Sequence, residues 1–235
     1  MKRFGLIAVW SLGVVFGVSA CAPQVASRDS GKGDGVCLIK VHGKGGLVGK
    51  TGRATGAVIN GRYVLTAAHN LLDDELGPVR WVEVGSEEEK GIRWEVASAY
   101  RSRQKTGRYQ KSDRDLLVND YGFIDLGKGA GNNGEFVFDR APVSVGQKVK
   151  VSGFPGGRRR FAGSGQVTEV KGPFFGCSVK TGKGMSGAPV WVERDGKKRI
   201  VGIHLGSDLV GIEGAVARRI DSTLLREWSR WTDGN

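Results

Sequence analysis

Three polar side chains, widely separated in the chain, have the types needed to activate a hydroxyl nucleophile. Ser186 lies in GKGMSGAPVW (182–191), between glycines and just ahead of an apolar run. A serine hydroxyl is a weak nucleophile near neutral pH, so a neighbouring base must take its proton as it attacks. His69 ends the apolar segment YVLTAAH and has the most informative setting of the three histidines. An imidazole titrates near neutrality, so it can accept that proton and return it to a leaving group. Asp120 stands directly before YGFIDL, where a carboxylate at a strand entrance can fix the imidazole tautomer and stabilise the imidazolium. The oxyanion of a tetrahedral intermediate needs donors already in place. The backbone N–H groups of Gly184 and Ser186 suit that task, because glycine permits the sharp turn that points them inward.

Each residue also has an ordinary reading: a satisfied core histidine, a turn-capping aspartate, a serine in a glycine-rich hairpin. The order His, Asp, Ser in an all-β context favours the chemical reading of the set. Competing motifs fail on single residues. GKGGLVGKT (43–51) has Lys44 where a phosphate-binding loop needs glycine, and no helix follows. Lys180-Thr181-Gly182 and Ser102 to Lys105 match fragments of penicillin-binding enzymes, but Ser112-Asp113 is followed by Arg114 rather than Asn. Gly184-Met185-Ser186 begins like a hydrolase elbow, yet Ala188 occupies the place of its last glycine. The histidines are scattered and no Cys-x-x-Cys pair exists, so no metal is expected and no cofactor is implied.

The elements that must hold these groups are short strands. Glycine is abundant (39 residues) and proline scarce (6), and much of the glycine separates short β-branched segments. Strands are expected at 36–41, at TGAVIN and YVLTAA within 55–68, at 79–85, 93–99 and 121–126, and again at 149–154, 164–170, 176–180, 188–193, 199–205 and 214–220. Asn60-Gly61 and Asp195-Gly196 are hairpin signals between neighbours. Nothing between the strands has helical periodicity. At the C-terminus, Asp221 can cap a helix over about 221–231, in which Leu224, Leu225, Trp228 and Trp231 share a face. Two comparable sets of strands and one terminal helix predict an all-β fold of two small barrels.

Residues 1–20 read as a signal peptide: Lys2 and Arg3, an apolar run, then small residues before Cys21. VSAC (18–21) resembles a bacterial lipobox, which implies lipidation of Cys21, with Ala22 pointing to the outer membrane. An ordinary secretory signal is the alternative; either way the chain works outside the cytoplasm. Residues 21–35 read as a flexible tether and 36–235 as the folded domain. Cys37 and Cys177 then remain, an even number in an oxidising compartment; they either form a disulfide or are two buried thiols. The net charge of +12 gathers in Arg101 to Arg114, with six basic residues and one acid, and in Arg158 to Arg160. Such patches suit anionic lipid headgroups, acidic cell-wall polymers or acidic protein segments. Aromatics do not recur among these charges, so no nucleic acid is expected as a partner.

GAVINGRYVLTAAH (56–69), DYGFIDL (120–126), SGFPGG (152–157), TGKGMSGAPV (181–190), GIHLG (202–206) and GAVARRI (214–220) together resemble the trypsin-like serine proteases, nearest the bacterial glutamyl-endopeptidase branch. The resemblance runs from about residue 36 to 228. It implies two six-stranded antiparallel β-barrels of the chymotrypsin type, the catalytic groups in the cleft between them, and a C-terminal helix. It also implies a protein or peptide substrate, cleaved through an acyl-enzyme. In that branch the residues matching Thr181 and His204 line the S1 pocket and receive an acidic side chain; the alternative is that His204 only packs. Lys180 stands where trypsins place their pocket aspartate, which disfavours cleavage after Lys or Arg. Asn70 and Met185 depart from the digestive enzymes, which carry a disulfide cysteine and a salt-bridging aspartate there. The rival class is a catalytically inactive, protease-like binding module of the envelope.

Overall fold

The computed structural model describes residues 35–42, 51–73, 77–78, 81–84, 92–95, 98–101, 114–127 and 136–234. The signal peptide, Cys21, nearly all of the tether and the interior of the basic loop at 101–114 lie outside them. The first half contains β1 (Val36–His42), β2 (Thr51–Ile59), β3 (Tyr63–Thr66), β4 (Leu72–Asp73), β5 (Gly77–Pro78), β6 (Trp81–Val84), β7 (Ile92–Glu95) and β8 (Ser98–Arg101). Then come a short helix α1 (Arg114–Val118), β9 (Gly122–Asp125) and β10 (Phe136–Phe138). The second half contains β11 (Lys148–Gly153), β12 (Phe161–Lys171), β13 (Phe174–Cys177), β14 (Pro189–Arg194), β15 (Lys197–Leu209), β16 (Ile212–Arg219) and α2 (Ser222–Asp233).

The second half closes on itself. Its strands run β14-β11-β12-β13-β16-β15, and β14 also pairs with β15, which completes a six-stranded antiparallel barrel. Among the described residues the first half does not repeat this. β1, β2, β3, β9 and β8 form an open antiparallel strip, and β10 runs parallel to both β2 and β15 to join strip to barrel. Among the described residues, β4–β5 and β6–β7 are separate two-stranded ladders. The expected pair of six-stranded barrels is therefore corrected to one barrel, additional strands outside it, and a C-terminal helix. Alternation and turn spacing specify strands; closure needs a ladder between first and last strand, which periodicity does not encode. The two hairpin signals hold, with Asn60 and Gly61 at φ 51° and 66°, and Asp195 and Gly196 at 53° and 66°.

The barrel is filled by Val149, Val151, Val167, Phe175, Val190 and Val201. A larger core lies under α2. Trp228 presents its ring to Tyr63, Phe123 and Phe138 at centroid distances of 5.0, 4.9 and 5.4 Å, so the helix seals β3, β9 and β10. Its N-terminus is capped as the sequence implies: the Asp221 carboxylate accepts from the Leu224 N–H at 3.0 Å, a contact of a kind that contributes about 1 kcal/mol. Among the described residues no helix is long and apolar enough to cross a membrane.

Cys37 and Cys177 are both free and buried, which corrects the disulfide alternative. Cys37 packs with Ile39, Val64 and Ile124 in the open strip, whereas Cys177 faces the barrel interior. Separate cores hold them apart. Burial raises both thiols, Cys37 to about 12, so both remain protonated near neutral pH.

Candidate active site

Strand pairing brings His69 and Asp120 together. β3, buried along its whole length, delivers the chain to a single 3-10 turn, Ala68–Asn70, that carries His69. Thr66 at the end of β3 pairs with Gly122 at the start of β9. His69, three residues beyond Thr66, and Asp120, two residues before Gly122, therefore leave the same end of one antiparallel pair. The helix α1, which the sequence does not announce, sets the approach: the Asp120 N–H donates to Leu117 O at 3.2 Å. The Asp120 carboxylate is fully buried and spends both oxygens on His69. Oδ1 accepts from the His69 backbone N–H at 3.0 Å, and Oδ2 lies 2.7 Å from Nδ1. That geometry selects the tautomer with the proton on Nδ1 and leaves Nε2 as an acceptor.

Nε2 is hydrogen-bonded to Ser186 Oγ, which also lies 3.1 Å from Leu205 O. The peptide planes around Ser186 are each fixed. Lys183 O accepts from Gly156 N–H at 2.6 Å, and Met185 O from Ala188 N–H at 2.9 Å. Gly184 O accepts from the Thr55 hydroxyl at 2.9 Å, while Met185 N–H donates to Gly182 O at 3.1 Å. Ser186 O accepts from Thr55 N–H and Asn70 Nδ2, both at 3.0 Å, and Gly187 N–H donates to His204 O at 2.8 Å. Along 184–187 the amides of Gly184 and Ser186 alone have no acceptor among the described residues. Both residues are half-buried, and two amides without an acceptor beside the Ser186 hydroxyl are suited to receive a negative charge.

The glycines of this turn are needed. Gly187 has φ +85°, and a Cβ there would stand 2.1 Å from Thr66 Oγ1. Gly184 has φ +92°, and its Cβ would meet Phe154 O at 2.8 Å. Met185 is buried in the barrel core.

Of the two expected specificity residues, Thr181 is half-buried on the approach to this turn and the preceding Lys180 is exposed. His204 lies in β15 directly behind it, its N–H donating to Ala188 O at 2.9 Å, and it is only 2% exposed. Burial pulls its pKa down to about 4, with the Val216 backbone bond opposing and the nearby His69 assisting. The ring is thus neutral near pH 7, and its Nδ1 has no partner among the described residues.

Three supporting residues are not evident from sequence. Thr55 and Asn70 tie the Ser186 turn to the first half. Arg218 is buried in β16, where it donates to Val118 O at 2.8 Å, pairs with Asp221 at 2.8 Å and lies over the Tyr121 ring at 5.5 Å. It braces both flanks of Asp120. The only signal for it is an arginine within the apolar run GAVARRI.

Residues 54–203, well over half of the chain, match the family model of the trypsin-like peptidase domain. The chain belongs to the trypsin-like peptidase domain family. Solved structures agree on the fold of this peptidase domain. It resembles a Glu endopeptidase in complex with MPD, with TM-score 0.67, 18% identity, and 90% of this chain and 96% of that one covered. It also resembles the active form of a protease from M. tuberculosis, with TM-score 0.61, 18% identity and coverage of 96% and 93%. A third is the protease Anisep from Arthrobacter nicotinovorans, with TM-score 0.66, 13% identity and coverage of 90% and 99%. At these identities the likeness is one of fold. Comparison with curated proteins gives no match.

Proposed function

We propose that this peptidase domain is a serine endopeptidase that hydrolyses peptide bonds through an acyl-enzyme. The observation that carries the reading is the unbroken contact Asp120–His69–Ser186, with the carboxylate buried and the nucleophile beside two spare amides. Ser186 Oγ attacks the scissile carbonyl as His69 Nε2 takes its proton; the C–N bond then breaks as Nε2 returns that proton to the leaving amine. Water repeats the sequence on the acyl-enzyme and regenerates the serine. Asp120 holds the tautomer and offsets the imidazolium charge. The amides of Gly184 and Ser186 receive the oxyanion.

The same proposal assigns a preference for Glu or Asp before the cleaved bond to Thr181 and His204. The Thr181 hydroxyl can donate a hydrogen bond to a carboxylate, and the exposed Lys180 precedes it in the chain. The neutral His204 ring spends its one N–H on the Val216 backbone, so its unpartnered Nδ1 donates to a substrate carboxylate only as the ring takes up a proton with it. The similar Glu endopeptidase fold lends support. A peptide-library digest with cleavage sites read by mass spectrometry tests this: cuts after Glu and Asp are expected. Cuts led by basic or large apolar residues would refute the pocket assignment; no cuts by folded protein would favour the inactive binding module. At its N-terminus, Cys21 is proposed to carry lipid and hold the enzyme at an envelope membrane.

A further inference from the structure

The two spare amides are presented by a turn whose middle peptide is held at its carbonyl by one side chain from the other half of the molecule. The N–H and C=O of a peptide are antiparallel within one plane, so fixing a carbonyl fixes the amide across from it. The Lys183–Gly184 and Met185–Ser186 planes, which carry the spare N–H groups, are set through carbonyls bonded to Gly156 and Ala188. Between them lies the Gly184–Met185 peptide. Its N–H donates to Gly182 O at 3.1 Å within the turn, and its rotation would break that bond and change ψ of Gly184 and φ of Met185, which set the angle between the two amides. Its carbonyl accepts from the Thr55 hydroxyl at 2.9 Å.

Thr55 is fully buried on β2 and completely used. Its Oγ1 donates to Gly184 O and accepts from Phe154 N–H at 3.1 Å, at the start of the loop whose Gly156 holds Lys183 O. Its own N–H holds Ser186 O at 3.0 Å, and its own carbonyl accepts from the Thr66 hydroxyl at 2.8 Å. One residue thus bonds both the oxyanion turn and the loop behind it. Gly184, at φ +92°, lacks the side chain that would otherwise restrict such a rotation.

We infer that Thr55 is a positioning residue for transition-state stabilisation: its hydroxyl locks the Gly184–Met185 peptide so that the Gly184 and Ser186 amides converge on the oxyanion. The inference rests on the proposed peptidase activity. All of these bonds come from residues between Thr55 and His204, so the turn is set by the folded domain itself. The salt-bridging aspartate of the digestive proteases is replaced by Met185, buried in the barrel core, and Thr55 adds a tie from the other half of the molecule to the bond between Met185 N–H and Gly182 O.

The test is Thr55→Val, which removes the hydroxyl and keeps the β-branched shape and the backbone N–H, with Thr55→Ser as the hydroxyl-restoring control. Removing a direct oxyanion donor lowers kcat by about 100- to 1000-fold; a restraint acting through the turn is expected to cost about 10- to 100-fold, with KM changed by less than about threefold. A peptide boronate, which forms a tetrahedral adduct with the serine, should lose affinity for the valine variant in step with kcat/KM. Thr55→Ser should recover most of both. A folded valine variant with wild-type kcat and boronate affinity overturns the inference, as does a serine variant equally impaired. If the valine variant does not fold, the wild-type protein decides: a slowly exchanging Thr55 hydroxyl proton with a nuclear Overhauser contact to Gly184 supports the restraint, and its absence removes it. A folded wild type that no fluorophosphonate labels at Ser186 refutes the parent activity, an outcome separate from normal labelling with an indifferent Thr55.

Discussion

Asp120→Asn changes one atom and should reverse the imidazole. The aspartate uses two acceptors at once, Oδ1 for the His69 backbone N–H at 3.0 Å and Oδ2 toward Nδ1 at 2.7 Å. Asparagine has one acceptor and one donor. If its oxygen faces Nδ1, its NH2 confronts the backbone N–H, two donors at about hydrogen-bond distance in a fully buried site, which costs roughly 1–3 kcal/mol. If its oxygen takes the backbone N–H, the NH2 donates to Nδ1 and both contacts survive. The second arrangement wins. It places the ring proton on Nε2, which then donates to Ser186 and cannot accept from it. The imidazolium also loses its buried counter-charge. In triad hydrolases the combined loss is about 10⁴-fold in kcat, or about 5.5 kcal/mol of barrier. Asp120 does not touch substrate, so KM should change little. The assay is kcat on a peptide ester, together with 15N shifts of the His69 ring, which report the protonated nitrogen. A variant within tenfold of wild-type kcat, or one whose proton stays on Nδ1, would rule out Asp120 as the group that sets the His69 tautomer.

Two further outcomes follow from the chemistry of single residues. His204 has a folded pKa near 4 against about 6.5 in an unfolded chain, so the unfolded state binds the extra proton as the pH falls between them. Stability should therefore decline on acidification through this window, by about 2 kcal/mol from about pH 7.5 to about pH 5. Denaturant titrations of wild type and His204→Gln should diverge by that amount, and parallel pH curves would count against a buried neutral imidazole. Motivated by VSAC, Cys21→Ala should release the protein from the membrane fraction; unchanged fractionation would rule out lipid anchoring.

Much of the site is legible in the sequence because its members stand where elements end. His69 closes an apolar strand and Asp120 opens one, and the pairing of those two strands is what unites them. The glycines around Ser186 are legible as a turn, since their positive φ values exclude other residues. The C-terminal helix is legible for the same kind of reason: Asp221 caps it and Trp228 and Trp231 repeat at helical spacing. What escapes the sequence depends on contacts between distant segments. Thr55 and Ser186 meet across the two halves, and no local pattern distinguishes Thr55 from any strand threonine. Arg218 is buried only because Val118, Tyr121 and Asp221 surround it in space. Helix α1 has five residues, too few to show a period. The single barrel and the separate environments of Cys37 and Cys177 are likewise properties of closure, not of alternation.

The most direct test is covalent. A fluorophosphonate forms a phosphorus–oxygen bond to a serine, breaking its P–F bond and releasing fluoride, only where a base removes the hydroxyl proton and donors receive the developing charge. Intact-mass and peptide-level mass spectrometry of the folded wild-type chain should show one adduct, on Ser186, and none in Ser186→Ala. An adduct elsewhere, an adduct that persists in Ser186→Ala, or no adduct on folded wild-type protein would contradict the assignment of Ser186, His69 and Asp120 as a working triad.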